Sequence, residues 1–332
     1  MSDLVSVVVP AYNAESRIRP CLESIASQDY GDIEIIAVDD ASTDRTGEIV
    51  REVLEGAGRK FTVITHESNS GVSAARNTGM AASTGEYVCF VDGDDVIRKN
   101  FVSLLHEVIS EQACDIAFCG LHDAFQDAGK NRDIPYAHGE SRVLNGEEIL
   151  AGMNNIPASV CCMYRRDFLE KYGLRYYAGC TAGEDTEFIT KALCRAVRVT
   201  FTAKCLYVYV HHDEMGSVRD NDTRAKRILR YEHNTQAQLR TAEYLYKYAE
   251  SQALRDLARK VLMPQVMVRR LNLAAVKNDR RSYNALLADA DTVKVLRSAT
   301  GLYTFRRKPE VFIKALVIRC LPDLYFRMRA KA

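Results

Sequence analysis

The chain has 332 residues, 47% hydrophobic and 27% charged, with a formal net charge of +1, a composition that suits a globular protein with a sizeable core. No stretch reaches the roughly 20 apolar residues of a membrane span, and the chain enters a strand directly, without a basic-then-apolar leader. The charge is unevenly spread: from Arg219 onward there are 25 Lys/Arg and 11 Asp/Glu, a balance of +14 that leaves −13 before it. An acidic front and a basic back suggest two jobs, the back suiting phosphates, a membrane surface or nucleic acid. Ten cysteines lack CxxC spacing and read as free buried thiols of a reducing cytosol.

Strand and helix signals alternate over the first 120 residues. Leu4 to Val9 is an apolar run closed by Pro10, and Ile18, Leu22, Ile25 and Ala26 then follow at helical spacing. Ile33 to Val38 is a second run, Ile49, Val50, Val53 and Leu54 share a helix face, and Phe61 to Ile64 is a third run. A helix over 72–82, a fourth strand Tyr87 to Val91 and a helix over 101–109 complete the series. Short apolar strands separated by helices predict a parallel sheet buried on both faces. The middle, about 121–218, is less regular; it holds a helix opening at Gly183-Glu184-Asp185 and a strand Leu206 to Val210 that ends at His211-His212. From about 222 the chain reads as helical to its end.

In parallel sheets, ligands bind at the carboxyl ends of the strands. Those ends carry Pro10-Ala11-Tyr12-Asn13, Asp39 to Asp44, Asn69-Ser70-Gly71 and Asp92-Gly93-Asp94-Asp95. Carboxylates at spacing two on a turn can lean toward one point and hold Mg²⁺ or Mn²⁺. A solvated acidic turn is the alternative, weakened by the mutual repulsion of this cluster with Asp39 and Asp40. Ser42, Thr43 or Asp44 suits helix capping, which leaves Asp39 for a base-edge contact. Tyr12 offers a flat face for stacking, or is a packed loop tyrosine. The small residues of 71–79 fit close helix packing, while Arg76 suits a phosphate or a base carbonyl. Glu184-Asp185 is also what a helix N-terminus favours electrostatically, and His212 is a metal or diphosphate ligand or half of a surface pair.

Val7-Val8-Val9-Pro10-Ala11-Tyr12-Asn13-Ala14-Glu15, Val38 to Asp44, Asn69 to Asn77 and Phe90 to Asp95 together resemble glycosyltransferase family 2, in its order and spacing. The likeness is strong over about 4–120 and weaker through Glu184-Asp185 and from Tyr207 to Ser217. It implies an α/β fold of the nucleotide-diphospho-sugar transferase type: a mostly parallel Rossmann-like sheet flanked by helices, then a helical C-terminal region. The catalytic domain would be 1–218, with a donor half of about 1–120 and an acceptor half of about 121–218; the basic helical region would be 219–332. The resemblance implies Pro10, Tyr12, Glu15, Asp39, Asp40, Arg76 and Asp92 at the donor nucleotide, with Asp39, alone or aided by Asp40, at the base. It implies Asp92, Asp94 and His212 around Mn²⁺ or Mg²⁺, and Asp185 as general base. Val210 stands where many relatives carry Arg, and Gly93 where Ser is commoner. The implied reaction is an inverting transfer of a sugar from a nucleotide-diphosphate donor, by family habit a UDP-sugar, to a hydroxyl of a glycan or lipid-linked glycan in cell-surface polysaccharide synthesis. Nucleic acid is not an expected partner.

Apolar and basic residues mix over 309–322, flanked by Arg306, Arg307, Lys308, Arg327, Arg329 and Lys331. This reads as an interfacial helix on an anionic membrane, interrupted at Pro322, or as an ordinary helix packed on the body. The expected location is cytoplasmic, peripheral on the inner face of the cell membrane. Two other classes fit in part. Phe90 to Val96 matches by letter the strand motif of haloacid dehalogenase-type phosphatases, with Asp92 as nucleophile. A noncatalytic nucleotide-sugar-binding or scaffold subunit would keep the fold without the chemistry.

Overall fold

The computed structural model describes residues 3–125, 127–152, 156–212, 223–299, 304 and 308–330. The chain divides into two compact units, one of residues 1–180 and 184–221, the other of 181–183 and 222–332.

In the first unit, strands and helices alternate as expected: Val5–Ala11 (β1), Ile18–Ala26 (α1), Ile33–Asp39 (β2), Thr46–Gly56 (α2), Lys60–Thr65 (β3), Val72–Ala82 (α3) and Tyr87–Phe90 (β4). Val96–Ile97 (β5), Phe101–Glu111 (α4), Ile116–Ala124 (β6), Arg132–Ile134 (β7), Gly146–Gly152 (α5) and Cys162–Arg165 (β8) follow, then Arg166–Lys171 (α6), Glu184–Arg195 (α7) and Val199–Val210 (β9). The sheet order is β3-β2-β1-β4-β8-β6-β9-β5, with β7 paired to β6. β1 to β4 are mutually parallel. β8 runs antiparallel to both β4 and β6, so the sheet is mixed beyond β4. β6 and β9 are parallel, and β5 and β7 are antiparallel additions. Sequence periodicity does not reveal β5, β7 or β8, because two to four residues cannot display a period of two.

Every residue of β1, β2 and β4 is buried, as near-continuous apolar strands require. β3 departs from that expectation: none of its six residues is buried. It is the last strand of the path, so only one side of it is paired. α1 buries Ile18, Cys21, Leu22 and Ile25 on one stripe, each large apolar side chain contributing about 1.5–3 kcal/mol. α3 lies so close to β1 that a Cβ on Gly79 would sit 2.3 Å from Val8 Cγ1, so glycine is needed there.

One charge is buried beneath the sheet's far edge. Glu34 on β2 accepts hydrogen bonds from Ser6 Oγ at 2.7 Å, Thr84 N at 2.6 Å and Gly85 N at 3.1 Å, with Lys60 Nζ 2.7 Å away. Burial alone would raise its pKa; Lys60 and the Ser6 and Thr84 donors outweigh burial and bring it down to about 2.

The second unit is helical: Arg224–Tyr248, Gln252–Leu257, Met263–Val276, Arg280–Ala288, Ala290–Ala299, Pro309–Cys320 and Pro322–Ala330. A π-helical turn over Ala258–Leu262 joins the second and third of these and precedes Pro264, whose ring and missing N–H a regular helix interior would not accept. Its core includes Leu271, Tyr283, Leu296, Ile318 and Phe326. As the sequence predicts, the helix over 309–320 stops and Pro322 begins the next one. All ten cysteines are free, and eight are buried.

Candidate active site

The registers Ala11↔Asp39 and Val8↔Phe90 bring the carboxyl ends of β1, β2 and β4 to one edge of the sheet. A cleft of about 230 Å³ opens there, lined in part by Pro10, Tyr12, Arg17, Asp40, Asp92 and Asp94. The loops after β1 and β2 are stitched together. Asn13 N donates to Ser42 Oγ, Thr43 N to Asn13 Oδ1, and Ala14 N to Thr46 Oγ1. Glu15 N donates to Asp44 Oδ2, and the Glu15 carboxylate accepts from Arg45 N. These bonds hold two residues at positive φ, Asn13 at 45° and Ala41 at 60°. Asparagine tolerates that region; an alanine there costs about 1–2 kcal/mol.

The two acids at the end of β2 are both engaged. Asp39, 6% exposed, accepts from Ser42 N at 3.0 Å and closes the turn. Asp40 accepts from Ser70 N at 2.9 Å, Gly71 N at 2.7 Å and His66 Nδ1 at 2.7 Å. Asp40 thus anchors the N-terminus of α3, where Gly71 has φ 86°. The N-cap of α2 is Arg45, without a side-chain cap bond; Asp44, one residue earlier, accepts from Thr46 N at 3.0 Å.

Arg76, one and a half turns into α3, is 2% exposed. Its Nη2 bonds both oxygens of Asp92, at 2.7 and 3.0 Å, and its Nη1 bonds Asp185 Oδ1 at 2.6 Å. Burial disfavours the cation, but the charges of Asp92 and Asp185 prevail and hold its pKa above the usual arginine value. Ser159 Oγ also donates to Asp185 Oδ1, at 2.9 Å. Asp185 Oδ2 keeps no hydrogen-bond partner among the described residues, and the side chain is 44% exposed. Neighbouring Glu184 is raised above the usual range, first by burial and then by the Asp185 charge.

The turn after β4 is built around Gly93 and Asp95. A Cβ on Gly93 would meet Pro10 O and Ile18 Cδ1, each at 3.0 Å, so glycine lets this turn lie against the β1 end. Asp95 is buried, accepting from Tyr207 Oη at 2.8 Å and Val210 N at 2.9 Å. Tyr207 Oη in turn accepts from Asp92 N at 3.1 Å. Burial, then the charges of Asp92 and Asp94, push Asp95 up to about 8. The Asp94 carboxylate borders the cleft without a hydrogen-bond partner among the described residues. His212 Nε2 lies 3.1 Å from the Asp94 backbone O.

Pro10, Tyr12, Asp40, Asp92 and Asp94 therefore line one cleft, while Arg76 and Asp185 join it through Asp92 and His212 through Asp94. Glu15 and Asp39 bond backbone in the stitched loops. Arg17 and Ser159 are absent from the sequence expectations, and Tyr207 stands there only as the start of the weaker likeness, without a role in the site. Arg17 follows the first motif closely enough to be noticed; Ser159 carries no local signal. Asn77 and Tyr176 form a further long-range pair, Asn77 Nδ2 to Tyr176 O at 2.8 Å and Tyr176 N to Asn77 Oδ1 at 2.9 Å. Ser217 and residues 213–216 lie outside the described residues.

This architecture matches known proteins. The model of "Glycosyl transferase family 2" covers residues 6–173, and the chain belongs to that family. It is 33% identical over 215 residues to the uncharacterized glycosyltransferase EpsJ of Bacillus subtilis, 63% of this chain and 61% of EpsJ. It is 45% identical over 117 residues to glycosyltransferase GlyA of Streptococcus pneumoniae, 35% of this chain and 16% of GlyA. The chain thus spans less than two thirds of EpsJ. Among solved structures, residues 1–349 of Staphylococcus aureus TarS in complex with UDP-GlcNAc share the fold at TM-score 0.72 and 21% identity, over 99% of this chain and 90% of that one. A mannosyltransferase of Pyrobaculum calidifontis in complex with GDP-Man and Mn2+ aligns at TM-score 0.54 and 20% identity, over 96% of this chain and 87% of that one.

Proposed function

We propose that the chain is a metal-dependent inverting glycosyltransferase that moves a sugar from a nucleotide-diphosphate donor, a UDP-sugar first, to a hydroxyl of a glycan or lipid-linked glycan. The observation that carries this reading is the convergence of Asp92, Asp94 and, through Arg76, Asp185 on one strand-end cleft. Tyr12 is 47% exposed at that cleft, free to stack on a base. Asp40 borders the cleft and Asp39 lies behind it, so the base side of the reading leans on Asp40 and the loop that Asp39 and Glu15 hold.

The residues suit a hard cation. Among the described residues no three Asp, Glu, His or Cys side chains form a ready metal cluster, but Mg²⁺ and Mn²⁺ often take one or two carboxylates and complete their shell with substrate phosphates and water. Asp94 would be the principal ligand, with Asp92 and His212 beside it. When bound, the metal supplies charge neutralisation to the departing diphosphate. Arg76 holds Asp92 and fixes Asp185, whose Oδ2 would take the proton of the attacking hydroxyl. Ser159 prevents that carboxylate from rotating. Attack opposite the leaving group inverts the anomeric centre.

The phosphatase alternative fares worse: both oxygens of Asp92 are bonded to Arg76, which blunts a nucleophile, and the chain's family is a different one. A noncatalytic role is disfavoured by the free Asp185 Oδ2.

The reading is tested by a thermal-shift and turnover screen of nucleotide sugars with Mn²⁺. One donor is expected to stabilise the protein only with metal, and Asp94→Asn is expected to abolish that dependence. Full metal-dependent turnover by Asp94→Asn would remove the metal assignment.

A further inference from the structure

The second unit holds a cavity of about 690 Å³ that the sugar-transfer reading does not use. Five cations line it: Arg224, Arg227, Arg269, Lys314 and Arg329, opposed by one carboxylate, Glu310. They come from four helices, Arg224–Tyr248, Met263–Val276, Pro309–Cys320 and Pro322–Ala330, so the cluster is made by folding and not by a run of sequence.

None of the five makes an ion pair among the described residues. Elsewhere in the same unit cations do find acids: Lys277 pairs with Glu232 at 2.8 Å, Lys260 with Asp256 at 2.8 Å, and Arg280 with Asp323. Around the cavity the partners are neutral. Arg269 Nη1 donates to Asn234 Oδ1 at 2.7 Å, and Arg224 Nη2 donates to Val276 O at 3.1 Å. The Arg329 guanidinium lies 5.8 Å from the Tyr325 ring centroid. These contacts orient the guanidinium groups and leave their charge uncompensated. Arg227 and Lys314 have no hydrogen-bond partner at all among the described residues. Like charges gathered around one concavity repel, and an anion entering it removes that cost.

We propose that this cavity binds a ligand through a diphosphate or oligophosphate group. Four guanidinium forks match phosphate oxygens bidentately, and an excess of four positive charges exceeds what a single carboxylate would answer. The site is built from residues of the second unit alone and does not depend on the glycosyltransferase reading.

The test uses the full chain in chelator, without divalent cations, titrated with inorganic pyrophosphate and followed by calorimetry. Saturable binding is expected, weakened about tenfold or more in the Arg227→Gln/Lys314→Gln double variant, since charge-assisted phosphate bonds are lost. Neither residue is paired, and removing two repelling charges costs nothing, so the variant should melt at or above the wild-type temperature; a variant that melts lower is replaced by Lys314→Gln alone. Asp94→Asn is expected to bind pyrophosphate as the wild type does. Vesicles carrying a lipid diphosphate that displace pyrophosphate would assign the group to a lipid headgroup; vesicles that do not would assign it to a water-soluble compound. The proposal is overturned by absence of saturable binding, by equal affinity in the charge-removed variant, or by loss of binding in Asp94→Asn.

Discussion

At the scale of single residues, Arg76 reorganises the site. Its guanidinium, expected at a phosphate or base, spans Asp92 and Asp185 instead, tying the metal side of the proposed reaction to the base side. A planar fork meets two carboxylates with separate donors in fixed directions, a geometry that the point charge of a lysine does not impose. The roles of the two acids then separate cleanly. Asp185→Asn keeps the shape and the Ser159 and Arg76 contacts while removing the proton acceptor. Its kcat is expected to fall about 10²- to 10⁴-fold with donor KM nearly unchanged, measured by steady-state transfer assays. A proportional rise in donor KM with kcat intact would mean that Asp185 binds the donor and takes no proton.

At the scale of elements, β2 carries a functional end and a structural one. The Asp39 and Asp40 end shapes the loops around the cleft, and Glu34 near the other end ties β2 to Ser6 of β1 and to the Thr84-Gly85 turn before β4. Removing that carboxylate orphans several buried donors at once, so Glu34→Ala is expected to lose on the order of 3 kcal/mol in denaturant unfolding. The sign with pH follows from a pKa near 2 in the folded protein against the usual 4.5. The stabilisation is complete above about pH 4.5 and is lost as pH falls toward 2. Glu34→Gln should therefore flatten the acid limb of stability between those values; an unchanged limb would locate the acid sensitivity elsewhere.

At the scale of the whole molecule, the basic C-terminal region has two faces. Ala315, Ile318, Tyr325 and Phe326 belong to the core of the helical unit, as the ordinary-helix reading expects. Ile313, Leu316, Leu321, Leu324 and Met328 are exposed, from 41% to 61%, an apolar surface with basic neighbours of the kind an interfacial helix presents. Arg306, Arg307 and Lys331 lie outside the described residues. No helix among the described residues is long and apolar enough to cross a membrane. Deleting 309–332 would strip the core, so point changes are the cleaner probe of the proposed membrane contact. Ile313→Ser with Leu316→Ser and Met328→Ser should reduce flotation with anionic vesicles several-fold at an unchanged melting temperature. Undiminished flotation would end the interfacial proposal.

The sequence by itself determined the alternating first half and its chemically loaded edge. Apolar runs and helical spacing are local properties, and acids that follow a buried strand must emerge at its end. The register that brings Ala11, Asp39 and Asp92 to one edge follows from parallel pairing of such strands. Tertiary structure alone decided who serves whom within that edge. Ser159 reaches Asp185 across 26 residues and Tyr207 reaches Asp92 across 115, distances over which no spacing rule operates. It also reversed the direction of β8, left β3 exposed at the sheet's edge, and gathered five cations from four helices. The +14 balance announced excess positive charge; only packing determined where it would be concentrated, because charges distant along the chain meet only once the helices that carry them have docked.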